Sequence, residues 1–231
     1  MGTVLEMSIH KRPVTFILIT LMALTACGNQ PDRGKALEIA KGLANRTSRI
    51  SPTLPSAEEL TQGITAALEN TKKPLALAHI EDRKNVTLLT EVSMNGPYST
   101  WVSPDRRTLS EQQGMIISSR GLGADLMAAK VDPSLQLIRT KKSGTADRTH
   151  VYLDGENHEV VMRLSCKIKI SGTETLSIGE IRSHVTELSE LCTGEGVSFE
   201  NTYKVTPAGR IVQSRQWLGA KNGYVTIQKL R

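Results

Sequence analysis

Histidine, cysteine and carboxylate side chains are the groups with which this chain could do chemistry, and their spacing excludes more than it offers. His158-Glu159 lacks the second histidine of a zinc-binding H-E-x-x-H helix, and neither a G-x-S-x-G elbow nor a G-x-x-x-x-G-K-[ST] phosphate loop occurs. His184 would share a helical face with Glu180 and Glu187, but of the three only histidine is a ligand that zinc prefers, so neither metal nor cofactor is expected. Asp125, Asp154 and Glu159 could supply the two carboxylates of a glycosidase, one protonated and one ionised, if the fold brought a pair together. Sequence spacing cannot show that any two face each other, so no catalytic residue is named. Arg215 and Trp217 alternate onto one face of an expected strand, with Ser214 and Gln216 on the other. An indole beside a guanidinium would make a shelf on which a pyranose stacks while the arginine reaches hydroxyls or carboxylates. The competing reading puts Trp217 in the core, with Arg215 pairing internally or snorkelling at its edge. Trp101 carries the same two readings, and Tyr203, on the strand expected beside that of Arg215, joins them as a candidate for binding polymer or partner.

The front of the chain carries chemistry of another kind. His10, Lys11 and Arg12 precede an apolar run from Val14 to Ala26, the order of an export signal, so residues 1–26 are expected to be removed. The run is 13 residues long, whereas a spanning helix needs roughly 20. Leu24, Thr25 and Ala26 before Cys27 resemble the lipobox of bacterial lipoproteins, which makes Cys27 the expected lipidation site. Several acyl chains on one cysteine would hold durably, since each buried methylene contributes about 0.8 kcal/mol. An Asp after the cysteine resembles an inner-membrane retention signal; Gly28 stands there instead, so the expected location is the outer membrane, facing the periplasm.

Lys11, Arg12 and Glu6 depart with the leader, so 29 basic and 23 acidic residues become 27 and 22, a formal balance of +5. With only eight aromatic residues in 231, stacking platforms for single-stranded nucleic acid are scarce and nucleic acid is not an expected partner. Once Cys27 is lipidated, Cys166 and Cys192 are the only cysteines left to pair. Export makes a disulfide between them plausible; two separate buried thiols are the alternative. They form no CxxC, so redox catalysis has no support.

Positioning these groups falls to a domain that reads as mainly β. Residues 27–55 are polar and read as a tether. Ser56 and Glu59 form a capping box after Pro55, with Leu60, Ile64, Ala67 and Leu68 at helical spacing. Leu75 to Ile80 and Val86 to Val92 read as a hairpin across a five-residue loop. Breaks at Asn95-Gly96, Ser103-Pro104-Asp105, Asp132-Pro133, Asp154-Gly155, Pro207-Ala208-Gly209 and Asn222-Gly223 separate further β-prone runs. A helical interruption is expected at Gly123 to Lys130. Ile181 to Cys192 fits either period, with strand the preferred reading. The expectation is one β-rich domain over 56–231, a curved antiparallel sheet or open barrel with one or two short helices.

W-V-S-P-D at Trp101, G-L-G-A-D-L at Gly121 to Leu126, Asp132-Pro133, Asn201-Thr202-Tyr203 and S-R-Q-W-L-G at Ser214 together resemble the YjbF/GfcB family, lipoproteins associated with group 4 capsule and exopolysaccharide production. Lys204 and Ala220 depart from its pattern, where an aromatic and a proline would be expected. The resemblance implies a curved β-sheet acting outside the cytoplasm in polysaccharide assembly or export, with acidic polysaccharide or export proteins as partners. It assigns no catalytic residue. Three functions follow: a non-enzymatic accessory lipoprotein anchored through Cys27, an enzyme that modifies the polymer, and a carrier holding a lipid in an open barrel.

Overall fold

The computed structural model describes residues 55–194 and 196–231, so the leader, Cys27 and all of the tether except Pro55 lie outside the described residues. Helix α1 (Ala57–Asn70) starts as its chemistry demands: the Ser56 hydroxyl accepts from the Glu59 N–H, and the Glu59 carboxylate accepts from the Ser56 N–H at 2.8 Å. Its apolar stripe, Leu60, Ile64, Ala67 and Leu68, packs on Leu75, Leu77 and Leu230. No helix among the described residues is long and apolar enough to cross a membrane.

Twelve strands follow: β1 (Leu75–Ile80), β2 (Asn85–Asn95), β3 (Tyr98–Val102), β4 (Thr108–Gln112), β5 (Met115–Arg120), β6 (Ala128–Lys130), β7 (Gly144–Leu153), β8 (Glu159–Ile178), β9 (Ile181–Gly194), β10 (Val197–Val205), β11 (Ile211–Trp217) and β12 (Tyr224–Lys229). All pairings are antiparallel, in the order β5-β4-β3-β2-β1-β12-β11-β10-β9-β8-β7-β6. Each half of the chain is therefore a meander, and the halves join where β1 pairs with β12. The expected β1–β2 hairpin is present, its loop a 3-10 turn at Glu81–Arg83 followed by Lys84 in the left-handed region. Ile181 to Cys192 is strand, within β9.

Alternation sorts the side chains. On β10, Phe199, Asn201, Tyr203 and Val205 are buried while Ser198, Glu200 and Thr202 are exposed; on β11, Ser214 and Gln216 are buried and Arg215 and Trp217 are half-buried. Two clusters of buried side chains fill the inside of the curved sheet, one around Tyr203, Leu188 and Ile138, the other around Trp101, Leu126 and Ile227.

The sheet curls until its edges, β5 and β6, nearly meet, which makes it an almost closed barrel. Edge strands expose unpaired backbone groups and must be managed. Here Gln216 reaches across the interior from β11: its Oε1 accepts from the Ile116 N–H at 2.9 Å and its Nε2 donates to the Gly114 carbonyl at 3.0 Å, standing in for a neighbouring strand. Further along the seam the Ser119 N–H donates to the Leu126 carbonyl at 2.9 Å.

The helix expected at Gly123 to Lys130 is not there. The Asp125 carboxylate accepts from the N–H groups of Gly121 and Leu122 and from the Ser119 hydroxyl, holding the segment as a loop with Gly123 at φ +87°. Ala128 to Lys130 then become β6, because pairing with Val151 to Thr149 of β7 completes the edge. The second helix, α2 (Asp132–Arg139), begins at the Asp132-Pro133 pair that had read as a break; proline without an N–H suits a helix's first turn. α2 buries Ser134, Leu135 and Ile138 at the barrel end that carries the Pro207–Arg210 turn. In that turn Gly209 has φ +78°, and a side chain on it would press into the Arg139 carbonyl at 2.9 Å, so both conformation and space require glycine.

Candidate functional site

The residues singled out from sequence are scattered. Arg215 makes paired hydrogen bonds of 2.7 Å with both oxygens of Glu81 and lies over the Tyr224 ring at 3.4 Å. Each partner of that ion pair stabilises the other's charge: Arg215 holds the Glu81 carboxyl below its ordinary value, and Glu81 pushes Arg215 up. Trp217 stacks on Phe199 with ring centroids 4.4 Å apart and lines a small cavity of about 240 Å³ with Tyr152 and Met162. That cavity lies at the barrel end opposite the Pro207–Arg210 turn. Trp101 is buried, its Nε1–H bonded to the Ser99 hydroxyl at 3.0 Å and its ring covered by the Lys229 ammonium at 3.7 Å. Tyr203 is inside the barrel at 1% exposure. No shared shelf forms, because Arg215 turns to Tyr224 and Trp217 to Phe199.

The carboxylates and histidines weighed for chemistry are also dispersed. Asp125 and Asp154 cap their own loops, Glu159 is exposed at the start of β8, and His184 bonds the Thr175 hydroxyl. Cys166 and Cys192 face each other across β8 and β9 and form a disulfide, so the short approach of both sulfurs to Glu190 offers no thiolate to a metal.

Two groupings do form. In the interior, Arg148 of β7 donates to Glu190 of β9 at 2.7 Å, the pair being 2% and 0% exposed. Tyr203 and Asn201 of β10 donate to the same carboxylate oxygen at 2.8 and 2.9 Å. Burial pushes the Glu190 carboxyl up, but the Arg148 guanidinium, with Asn201 and Tyr203, outweighs it and holds the group below its ordinary value. His150 of β7 is buried beside this cluster, bonded to the Tyr152 hydroxyl at 3.2 Å, and burial together with Arg148 pulls its pKa down to about 3.

A folded His150 that stays neutral has a consequence. The unfolded chain takes up the proton below about pH 6.5 while the folded one does not, so the stability present above that pH falls by about 1.4 kcal/mol per unit as the solution is acidified toward 3. Wild type is expected to lose roughly 2 kcal/mol between pH 7 and 5 through this residue, and His150→Leu to lose correspondingly less. A titration of the His150 ring midpoint near 6.5, followed by NMR in the folded protein, would refute this.

The second grouping is at the turn end of the barrel. A cavity of about 470 Å³ is lined by Trp101 of β3, Glu111 of β4, Arg139 of α2, Arg210 of the β10–β11 turn, Lys229 of β12 and Arg231 of the C-terminus, among others. Two clefts of about 500 Å³ adjoin it, one sharing Arg210 and Arg231, the other sharing Arg139 and Gly209. The central cavity holds four cationic side chains against two carboxylates, Glu91 and Glu111. Lys229 pairs with Glu111 at 2.5 Å and Arg231 with Glu180 at 2.6 Å, while among the described residues Arg139 meets only neutral acceptors, Gly209 O and Gln113 Oε1. Arg210 has no ion-pair partner among the described residues. Of these residues sequence reading had named only Trp101; the others come from five separate elements and no local spacing links them.

A family model described as group 4 capsule polysaccharide lipoprotein gfcB, YjbF matches residues 51–230. The uncharacterized lipoprotein YjbF of Escherichia coli K12 is 26% identical over 123 residues, 52% of this chain and 58% of that protein, so the match spans less than two thirds of the relative's length. The crystal structure of the hypothetical lipoprotein YmcC of E. coli K12 superposes with a TM-score of 0.63 at 18% identity, covering 88% of this chain and 98% of that one. The second likeness concerns the fold.

Proposed function

We propose, for a chain that belongs to the YjbF family of group 4 capsule polysaccharide lipoproteins, that it is an outer-membrane-anchored accessory protein in the assembly or export of capsule or exopolysaccharide, binding polymer or export machinery without turning it over. Family membership and the Cys27 lipobox support the anchored, polysaccharide-linked role. The observation that carries binding is the set of adjoining clefts at the turn end, lined by arginine, lysine, glutamate and glutamine side chains that can hydrogen-bond sugar hydroxyls and acidic groups. The ionisable groups furthest displaced from their ordinary behaviour, His150, Tyr152 and Tyr203, do not line those clefts, which favours a structural over a catalytic use of them. The side-chain clusters that fill the barrel likewise favour polymer binding over a lipid-carrying lumen.

The test compares polysaccharide in medium, on the cell surface and in the periplasm for a deletion strain complemented with wild type or Cys27→Ala. Loss of surface polymer restored by wild type and not by Cys27→Ala is the expected result. Unchanged polymer in all three fractions, under conditions that induce its synthesis, would end the polysaccharide reading.

A further inference from the structure

We propose that the cavity between Glu111 and Arg210 is a subsite for an acidic sugar, a uronate-type residue whose carboxylate meets Arg210 and Arg139 while a ring hydroxyl reaches Glu111; the proposal rests on the polymer-binding reading and names the ligand's chemistry. Two independent observations point to such a ligand. The first is charge: Arg139 and Arg210 flank Gly209, and neither makes an ion pair with a carboxylate among the described residues, so an anion entering there meets guanidinium groups free of a direct counter-ion, in a cavity with four cationic side chains to two carboxylates. Guanidinium is suited to this because its forked donors match the two oxygens of a carboxylate. The second is an unmet hydrogen bond. Glu111 is 1% exposed and gives one oxygen to Lys229, while its Oε1 has no partner. A buried carboxylate oxygen left without a donor is costly, and a hydroxyl arriving from the cavity would satisfy it.

Trp101 has a supporting part. With the Lys229 ammonium over its ring, the indole fixes that ammonium beside Glu111 instead of stacking on a sugar. The subsite thus recognises polar groups, and the requirement is a ligand that carries both a negative charge and hydroxyls. The adjoining clefts leave room for the polymer to continue beyond the recognised unit.

The experiment is calorimetric titration of the full-length chain in detergent with hexagalacturonate, with its fully methyl-esterified form, which has the same shape without the charge, and with polymer harvested from the producing strain. The acid hexamer is expected to bind at least tenfold more tightly than the ester, and Arg210→Ala to weaken the acid form by about tenfold. Arg163→Ala, which removes the same charge from the exposed face of β8, is expected to change nothing, and thermal melts would confirm that both variants fold. Equal binding of acid and ester, or binding of the acid hexamer or of the harvested polymer that Arg210→Ala leaves intact, overturns the acidic-sugar subsite while polymer binding stands. Failure of both hexamers and the harvested polymer to bind overturns the subsite and the polymer-binding reading together.

Discussion

Arg148→Met is expected to destabilise the domain by about 3–5 kcal/mol, the cost of leaving one member of a buried ion pair behind. Glu190 would be left in a site with essentially no water either charged without a counter-ion or obliged to take up a proton, and Tyr203 and Asn201, the donors that remain, are neutral. For a domain of this size the melting temperature should fall by roughly 10 °C. The companion variant Arg148→Met with Glu190→Gln is expected to recover much of the loss, because the desolvation penalty disappears with the second charge while the amide oxygen still accepts from Tyr203. Thermal unfolding followed by circular dichroism measures both. A single variant that melts within 2 °C of wild type would show that the pair contributes far less than its burial implies. The sign of the pH dependence follows from Glu190: its folded pKa is held below the unfolded value, so its stabilisation is present at neutral pH and is lost as pH falls below about 4, through the folded pKa. Arg148→Met should remove that acid-sensitive step, and the separate loss through His150, set in at higher pH, should shrink because Arg148 is one of its two causes.

Removing the Cys166–Cys192 disulfide is the second large effect. The cysteines are 26 residues apart, and on the chain-entropy model a loop of that size is worth about 3.5 kcal/mol. Cys166→Ala with Cys192→Ala should therefore unfold at a clearly lower denaturant concentration than wild type, and wild type treated with reductant should approach the double variant. A midpoint indifferent to both changes would mean that β8 and β9, paired from Ser165 to Ile178, are held by their ladder alone. Because the sulfurs lie beside Glu190, the disulfide and Arg148 variants share neighbours and their effects should not simply add.

Several features that local chemistry announces are present. The Ser56 and Glu59 capping box, the β1–β2 hairpin, the turns at Asn95-Gly96 and Pro207 to Gly209, and the alternation that turns Ser214 and Gln216 inward all depend on residues within a few positions of one another. The alanine-rich stretch at Gly123 to Lys130 misled because helix propensity is a weak preference: the Asp125 cap and the pairing of β6 with β7 contribute more. Nothing in the sequence around Arg148 or Glu190 reveals that the other lies within hydrogen-bond reach inside the barrel. Lys229 and Arg231 stand at the chain's end and Glu111 more than a hundred residues earlier, so their meeting around one cavity, like the reach of Gln216 to the edge of β5, depends on how far the sheet curls. That curvature is a sum over twelve paired strands, a long-range property that no single stretch of residues carries, and it decided where the charges gather.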